Sequence, residues 1–511
     1  MFGFVLSLLL WLAHADAPVD SSPSRYFAIQ VVDEQTGRGV PMVQLETVDN
    51  VRFITDSNGL IAIDDPALVN QKVFFKVTSH GYEFKKDMFD YPGEALEVKA
   101  GERATLKIKR INIAERLYRI TGAGIYRDTV LLGEEPPIKH PLLNAQVVGQ
   151  DSAQATVYQG KVFWIWGDTS RLAYPLGNFM STGATSQLPG KGGLDPAVGI
   201  DLDYFANGEG FTKKMAPIVE SGLIWIDGLL TLPDETGRER LLCHFSHHKD
   251  LGTRLESGLL IFNDEKQEFE RLKLIPLDFP LAPSGFSQPG KWKDGGVDYI
   301  LFNGPYPNVR VPADMKSFTD LSKWEAFTPL APGVRFEGKS TKLETRDGKI
   351  VWAWKRDTQA LNAKQQRELI DAGLMKFEDS PQFLRDIDTD KPIHIHGGSV
   401  HWNDFRKAWV MIGLEGNGTS FLGEIWYAES PQPTGPWKHA KKIATHNKYS
   451  FYNPVHHPFF DEDGGKLIYF EGTYTTSFSG TEIGTPRYEY NQIMYRLDLS
   501  DPRLKPVQQG E

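Results

Sequence analysis

Six times between Gln146 and Ser500 the chain repeats one phrase: a polar or charged opening, a turn containing Gly or Asp, then an aromatic-rich strand. The clearest copies are Asp151–Asp168 and Lys342–Trp354, followed by His401–Ile412 and Pro458–Phe470; Ile226–Phe245 and Ser287–Phe302 are weaker. A strand–turn–strand unit returning about every fifty to sixty residues cannot bury its apolar face alone and must stack on its neighbours, as propeller blades do. The expected fold is therefore all-β, with a five- to seven-bladed β-propeller over residues 144–503 and six repeats counted. A propeller gathers the starts of its innermost strands around one axial pocket, so polar residues at those starts are the first candidates for chemistry.

Aligning the repeats by their aromatic strands puts one polar cluster upstream of each: Asp151, Asp227, Ser287 with Gln288, Glu337 with Lys339, His394 with His396, and Asn453 with His456. Strand alternation puts His394 and His396 on one face. A second set follows the strands: Asp168 with Arg171, His247, Asn303, Lys355 with Arg356, Glu415, and Glu471 with Tyr474. Cleaving a glycosidic bond takes one carboxylic acid to protonate the leaving oxygen and one carboxylate to activate water or attack. Asp151 and Asp227 are the first candidates, with Glu337 or Glu471 as a third carboxylate. Asp168, Arg171, Lys339, Arg356, His394, His396, Asn453, His456 and Tyr474 are the expected substrate contacts. Each has a plainer reading. Asp168, Asp347 and Asp463 sit in or beside turns, where capping is the commoner role. The cations also suit ordinary salt bridges. The histidines could ligate a metal, but paired histidines are more often structural, and neither metal nor cofactor is expected. Trp164, Trp166 and Trp352 alternate inside apolar strands and read as packing between blades.

Length and composition bound the rest. The 511 residues suffice for two or three domains, and 12% aromatics with 48 Gly and 32 Pro suit a turn-rich β protein. A net charge of −10 without a basic run argues against a nucleic-acid partner. Phe2–Leu12, ending in Ala13-His-Ala15, reads as a cleaved leader over residues 1–15 without Lys or Arg ahead of it, implying a secreted or periplasmic protein. No stretch reaches membrane-spanning length. Cys243 has no partner for an intramolecular disulfide and lies in an apolar strand pattern, as a buried inert thiol would. A Pro/Ser/Asp-rich linker covers 16–25, a small β domain 26–110 and a connecting segment 111–143, in which Arg116–Ile120 and Gly122–Asp128 read as a strand pair. One helix is expected, from Asn362 to Lys376, as an insertion on the propeller rim. Asn417-Gly-Thr419 fits a glycosylation sequon.

Two resemblances accompany this reading. Val32-Asp33, Thr36-Gly37, Val40-Pro41, Thr55-Asp56, Asn58-Gly59 and Ser79-His-Gly-Tyr82 resemble the transthyretin-like, or carboxypeptidase-regulatory-like, β-sandwich, which implies an accessory module for support or carbohydrate contact. Trp426-Tyr-Ala-Glu-Ser-Pro-Gln-Pro-Thr-Gly-Pro-Trp437, together with Asp151 and Gly167-Asp168, is similar to the propeller glycosidases of family 43 and the arabinanase group. That resemblance implies a base at Asp151, a second aspartate that tunes pKa at Asp227, and a glutamate acid on the third blade, where this chain offers Ser287-Gln288 instead. Six repeats rather than five is a further departure. The expected function is hydrolysis of a poly- or oligosaccharide. A polysaccharide lyase using His396 or His456, Tyr474 and Lys339 or Arg356 is the alternative, and a glycan- or protein-binding propeller without catalysis is the third. The oligomeric state is left open.

Overall fold

The computed structural model describes residues 25–283, 287–302 and 304–508. The expected leader and nearly all of the linker, together with Asn303, lie outside them.

The N-terminal strands form two four-stranded sheets. One runs Leu60–Ile63, Phe27–Asp33, Arg103–Arg110, Tyr82–Glu83; the other runs Arg52–Ile54, Gln44–Glu46, Lys72–Thr78, Gly93–Glu97. Alternation decides which side chains meet: in Lys72–Thr78, Phe75 and Val77 point inward while Lys72 and Lys76 stay exposed. They join Phe27, Ile29, Val31, Leu45, Leu106 and Ile108 in one core shared by both sheets. Gly59 turns the chain at φ +74°, where a Cβ would fall 2.5 Å from the Val31 carbonyl oxygen, so only glycine closes this turn.

Five further sheets form the propeller. Blade one is Gln154–Tyr158, Lys161–Trp166, Thr182–Gln187 and Asp203–Tyr204. Blade two is Leu223–Pro233, Glu239–His248, Arg254–Asn263 and Glu268–Leu274. Blade three runs from Gly290–Asp294 through Val297–Phe302, Val309–Pro312 and Glu325–Thr328 to a fifth strand, Ala353–Arg356. Blade four runs outward from Ile395–Asn403 through Ala408–Glu415, Ile425–Ser430 and Trp437–Ala444, and is extended by Gln382–Asp386. Blade five is Ser450–His456, Leu467–Thr475 and Asn491–Asp498, and its outermost strand, Glu115–Arg119, comes from ahead of blade one.

Apolar seams prove the ring. Phe163 and Ile165 of blade one pack on Ile226, Cys243 and Phe245 of blade two. Leu230 and Leu242 meet Ile300 and Phe302, Leu301 meets Val400, Trp409 and Trp426, and Ile412 and Tyr427 meet Phe451 and Phe470. Trp164 and Trp166 then close the circle on Val455, Tyr469 and Met494. Five seams join five blades, so the blade number is five and not six. The Lys342–Trp354 phrase opens no blade. Its first part forms a two-stranded hairpin, Thr345–Arg346 with Lys349–Ile350, and the chain then enters the outer edge strand of blade three. An inner and an outer strand alternate alike, and only their pairing tells them apart.

The connecting segment also differs from expectation. Glu115–Arg119 pairs with Asn491–Asp498 rather than with Gly122–Asp128, and Arg127–Leu131 is a short helix. Arg116 on this closing strand is buried and ties the N-terminal sheets to the ring. Its guanidinium donates to the carbonyl oxygens of Pro41 and His80, each at 3.1 Å. Arg116→Ala strands both carbonyls, and a stability loss of about 3 kcal/mol is expected in urea denaturation. An unchanged midpoint would show that the N-terminal sheets are held elsewhere.

The helix spans Ala363–Asp371, shorter than expected, with an Asn362–Gln365 capping box at its start and Gly373 (φ +72°) just past its end. Leu369 anchors it on Leu330, Leu361 and Met375. Its first turn lines a cavity shared with His396 and Asn453.

Candidate active site

Backbone irregularities at the inner strands aim side chains toward the axis. Register breaks fall between Asp227 and Leu230, between Ile395 and Gly397, and between Tyr452 and Val455. Ser152 and Asn453 adopt φ of +56° and +51°. Such bulges bend a strand and redirect the residues beside them. Gln154 staples the first two blades, donating to the Ile226 carbonyl and accepting from the Leu229 amide, both at 3.1 Å.

Between blades one and two lies a cavity of about 500 Å³ lined by Asp151, Asp168 and Asp227, with Trp225, His244 and His248. Asp151 and Asp168 are fixed together: the Asp151 amide donates to the Asp168 carbonyl at 3.3 Å, and the Gly167 amide to the Asp151 carbonyl at 2.8 Å. A Cβ at Gly167 would lie 2.3 Å from Asp151 Oδ1, so glycine makes room for that carboxylate. Tyr452 donates to Asp151 Oδ2 at 2.8 Å, whereas Oδ1 is buried with no donor. Asp168 Oδ1 is likewise buried without one. Burial pushes the Asp151 carboxyl above its ordinary range, against hydrogen bonds from Tyr452 and Tyr490. Asp168 is pushed up to about 7, by burial first and then by the Asp151 charge, with a hydrogen bond from Trp225 opposing both.

Asp227 is buried beside His244, whose Nδ1 stands 4.0 Å from Asp227 Oδ2. Burial holds His244 down to about 3 and its Nε2 is occupied by Ser257 Oγ at 2.8 Å, so the imidazole is neutral and the approach is not an ion pair. Trp225 packs against His248 with ring centroids 4.6 Å apart at the edge of the same cavity.

A second cavity, of about 450 Å³, lies across blades three and four and contains His396 and Asn453. Asn453 Nδ2 donates to Ser152 Oγ at 2.8 Å, and Ser152 lines the first cavity, so the two halves touch at that bond.

Of the four expected catalytic carboxylates, Asp151 and Asp227 meet, and Asp168 joins them from the expected contact set. Glu337 and Glu471 do not. Glu337 is exposed at the start of a short 3-10 turn on the excursion from blade three, with Lys339 exposed inside it. Glu471 is wholly buried in blade five and bonded to His457 Nε2 at 2.6 Å. Arg356 sits on the outer strand of blade three beside Glu325, at 3.3 Å. Arg171 stacks over Phe211 in a small separate sheet. His394 and His396 share an exposed face, and only His396 reaches the second cavity. His456 is buried and bonded to Asp461 at 2.8 Å. Tyr474 stacks on Tyr449 and meets the His80 ring edge-on, and it lines neither cavity. The His/Tyr/cation set required for elimination is thus dispersed. Among the described residues no three His, Cys, Asp or Glu side chains are grouped to hold a metal.

Sequence reasoning missed Tyr452, Tyr490, Trp225 and His244. Tyr452 stands next to the chosen Asn453, and Trp225 two residues before Asp227, so a wider window around each strand start would have caught both.

Neither a protein-family model nor a curated protein matches the sequence. Among solved structures the chain is similar to an α-L-arabinofuranosidase of Fusarium graminearum, at 11% identity over 76% of this chain and 99% of that one, with a TM-score of 0.35. It is similar also to an α-L-arabinanase of Penicillium chrysogenum complexed with arabinobiose, at 11% over 76% and 99%, with a TM-score of 0.34. An exo-β-1,3-galactanase of Phanerochaete chrysosporium aligns at 8% over 69% and 61%, also at 0.34. No TM-score among these reaches 0.5, so the five-bladed fold rests on this chain's own sheet order and seams, and its function on its own side chains.

Proposed function

We propose that this protein hydrolyses glycosidic bonds, with Asp168 as general acid and Asp151 as the carboxylate that activates water. The observation that carries this is the Asp151–Asp168 pair: two neighbouring carboxylates, each with one buried oxygen that receives no hydrogen bond, with Asp168 pushed up to about 7. Two uncompensated charges cannot both persist there, and the pair relieves itself by retaining one proton. Asp151, supported by Tyr452 and Tyr490, is the better anion, and Asp168 keeps the proton near neutral pH. In the reaction Asp168 gives that proton to the leaving oxygen as the C1–O bond breaks. Asp151 takes one from the water that forms the new C1–O bond, so the sum is addition of water. Asp227 adds a third carboxyl group to the cavity wall, and Trp225 offers the sugar ring a flat apolar face.

The test is release of p-nitrophenol from a panel of aryl glycosides, alongside reducing ends from neutral polysaccharides, over a range of pH. The alkaline limb of kcat/KM is expected near pH 7, where Asp168 loses its proton, and the acid limb where Asp151 gains one. Glycan binding without turnover on any substrate would sink the catalytic reading, and unsaturated products would replace it with elimination.

A further inference from the structure

Three loops rooted on the wall of the aspartate cavity carry exposed apolar side chains. The first is the hairpin of Thr169–Arg171 and Tyr174–Asn178, which starts directly after Asp168 and leads back to Ser181, both of them lining residues. Leu172 at its turn is 69% exposed, and Tyr174 is exposed beside it. The second loop joins His248 to Arg254, which also line the cavity, and lifts Leu251 to 74% exposure. Leu277, whose carbonyl accepts from Arg254 at 3.2 Å, is exposed as well. The third, residues 476–490, ends on Tyr490, which donates a hydrogen bond to Asp151. Its Phe478 meets Tyr452 edge-on with centroids 5.8 Å apart and is otherwise open to solvent, as is Ile483.

A single exposed leucine is ordinary, whereas apolar tips on three loops that share one cavity wall mark a contact surface. Bonds within the loops hold two of the turns in shape. Asp250 accepts from the Gly252 and Thr253 amides at 3.0 and 2.8 Å, and the Ser479 amide donates to the Thr476 carbonyl at 2.9 Å. Thr481 Oγ1 adds a bond to the Lys448 carbonyl at 2.6 Å. Between Leu172 and Gly177 the hairpin carries no charge.

The oxygen that Asp168 protonates is the leaving one, so the departing half of the substrate lies on the Asp168 side of the cavity. From Asp168 the chain runs straight into the hairpin that bears Leu172 and Tyr174. Leu172, Leu251 and Leu277 offer a departing sugar no hydrogen bond, and its hydroxyls would lose water against them. A departing apolar alcohol would instead remove both its own surface and theirs from water. We infer that the protein cleaves glycosides of an apolar aglycone, an alkyl or lipid alcohol whose tail lies against these tips and which leaves with the Asp168 proton as the C1–O bond breaks. This rests on the hydrolase reading for the role of Asp168, although tail-dependent binding is testable without turnover.

The experiment compares methyl and octyl glycosides of arabinose, xylose, galactose and glucose, with each octyl compound kept below its micelle concentration. Methanol and octanol leave with similar ease, so the ratio of kcat/KM reports contact with the tail. For the sugar that is cleaved, the octyl glycoside is expected to exceed the methyl by about tenfold or more. Leu172→Ser with Leu251→Ser is expected to bring that ratio close to one, which a general loss of activity would not do. Calorimetry on the full chain carrying Asp168→Asn should show the same preference in affinity, and the wild-type rates stand even if that variant does not fold. Equal rates or affinities for methyl and octyl, no heat from any octyl glycoside, or a ratio unmoved by the double substitution would each overturn the inference. Tail-dependent binding in a protein that cleaves nothing would retain the apolar site and reject hydrolysis, and turnover indifferent to the tail would do the reverse. Flotation with phosphatidylcholine vesicles separates the two sources of such an aglycone. Co-flotation lost in the double variant assigns a lipid-embedded glycoside, and its absence in the wild type assigns a dissolved one.

Discussion

Asp168→Asn is expected to abolish hydrolysis and, at pH 8, to make the protein more stable. Both effects come from the same proton. With the native carboxyl at about 7 and the unfolded one near 3.8, the folded state holds a proton through that interval while the unfolded chain has released it. Stability therefore falls as pH rises from about 4 to about 7 and stays low above that, because folding then confines a charge in a site built for the neutral acid. The interval caps the effect at about 4 kcal/mol, and partial access to solvent reduces it to ~1–3 kcal/mol. Asparagine has nothing to ionise, so the variant should exceed the wild type at pH 8 and match it near pH 3. Turnover should fall by about 100-fold or more, since no proton reaches the leaving oxygen. Urea midpoints at the two pH values, with rates beside them, check this. A stability difference independent of pH, or retained turnover, would remove Asp168 from the acid role.

Glu471→Ala should cost about 3–5 kcal/mol and leave the folded fraction catalytically intact. Glu471 and His457 are 0% and 1% exposed at their side chains and bonded at 2.6 Å where blade five meets blade one. Trp164 stands edge-on to His457 with centroids 5.1 Å apart, so the pair is built into that seam. Removing one partner leaves the other polar group buried and alone, which is the costly half of breaking such a pair. Glu471→Gln keeps a hydrogen-bonding oxygen and should lose about half as much. Denaturation separates these outcomes, and kcat per folded molecule tests the role: a collapse of kcat in a stable Glu471→Gln protein would return this residue to the catalytic set.

What the residues disclosed in advance follows from how far each signal reaches. Asp151 and Asp227 were singled out because each precedes an aromatic strand of the repeat; Asp151 stands just before Gln154–Tyr158, Asp227 lies midway along Leu223–Pro233 at a register break, and both line one cavity. Glu337 was misplaced by the same logic applied one strand too often: the aromatic phrase after it, Lys342–Trp354, runs into the edge of blade three rather than into an inner strand. Alternation specifies a face, whereas pairing partners are set by contacts across the ring. Glu471 stands two residues before Thr473 on a strand that was correctly placed, but whether its carboxylate reaches the axis or a seam depends on the neighbouring blade's indoles. Asn362, Gln365 and Gln366 were read as the start of a rim helix, because nothing local says that Leu369 packs on Leu330 and brings that first turn to a cavity shared with His396 and Asn453.

The strand at Glu115–Arg119 is made early and used late. Its partner lies near the other end of the chain, with Glu115 and Arg496 381 residues apart and joined across the finished sheet. During synthesis the growing arc of blades keeps two raw apolar flanks, one on blade one and one on whichever blade emerged last. Neither is covered until the last strand, Asn491–Asp498, has left the ribosome and the waiting segment has zipped onto it. Separations of this size make closure slow and leave sticky intermediates in the interval. A nascent chain halted before residue 491 would thus be an open crescent, vulnerable to proteases and to its own neighbours, whereas the few residues beyond it convert that crescent into a sealed ring.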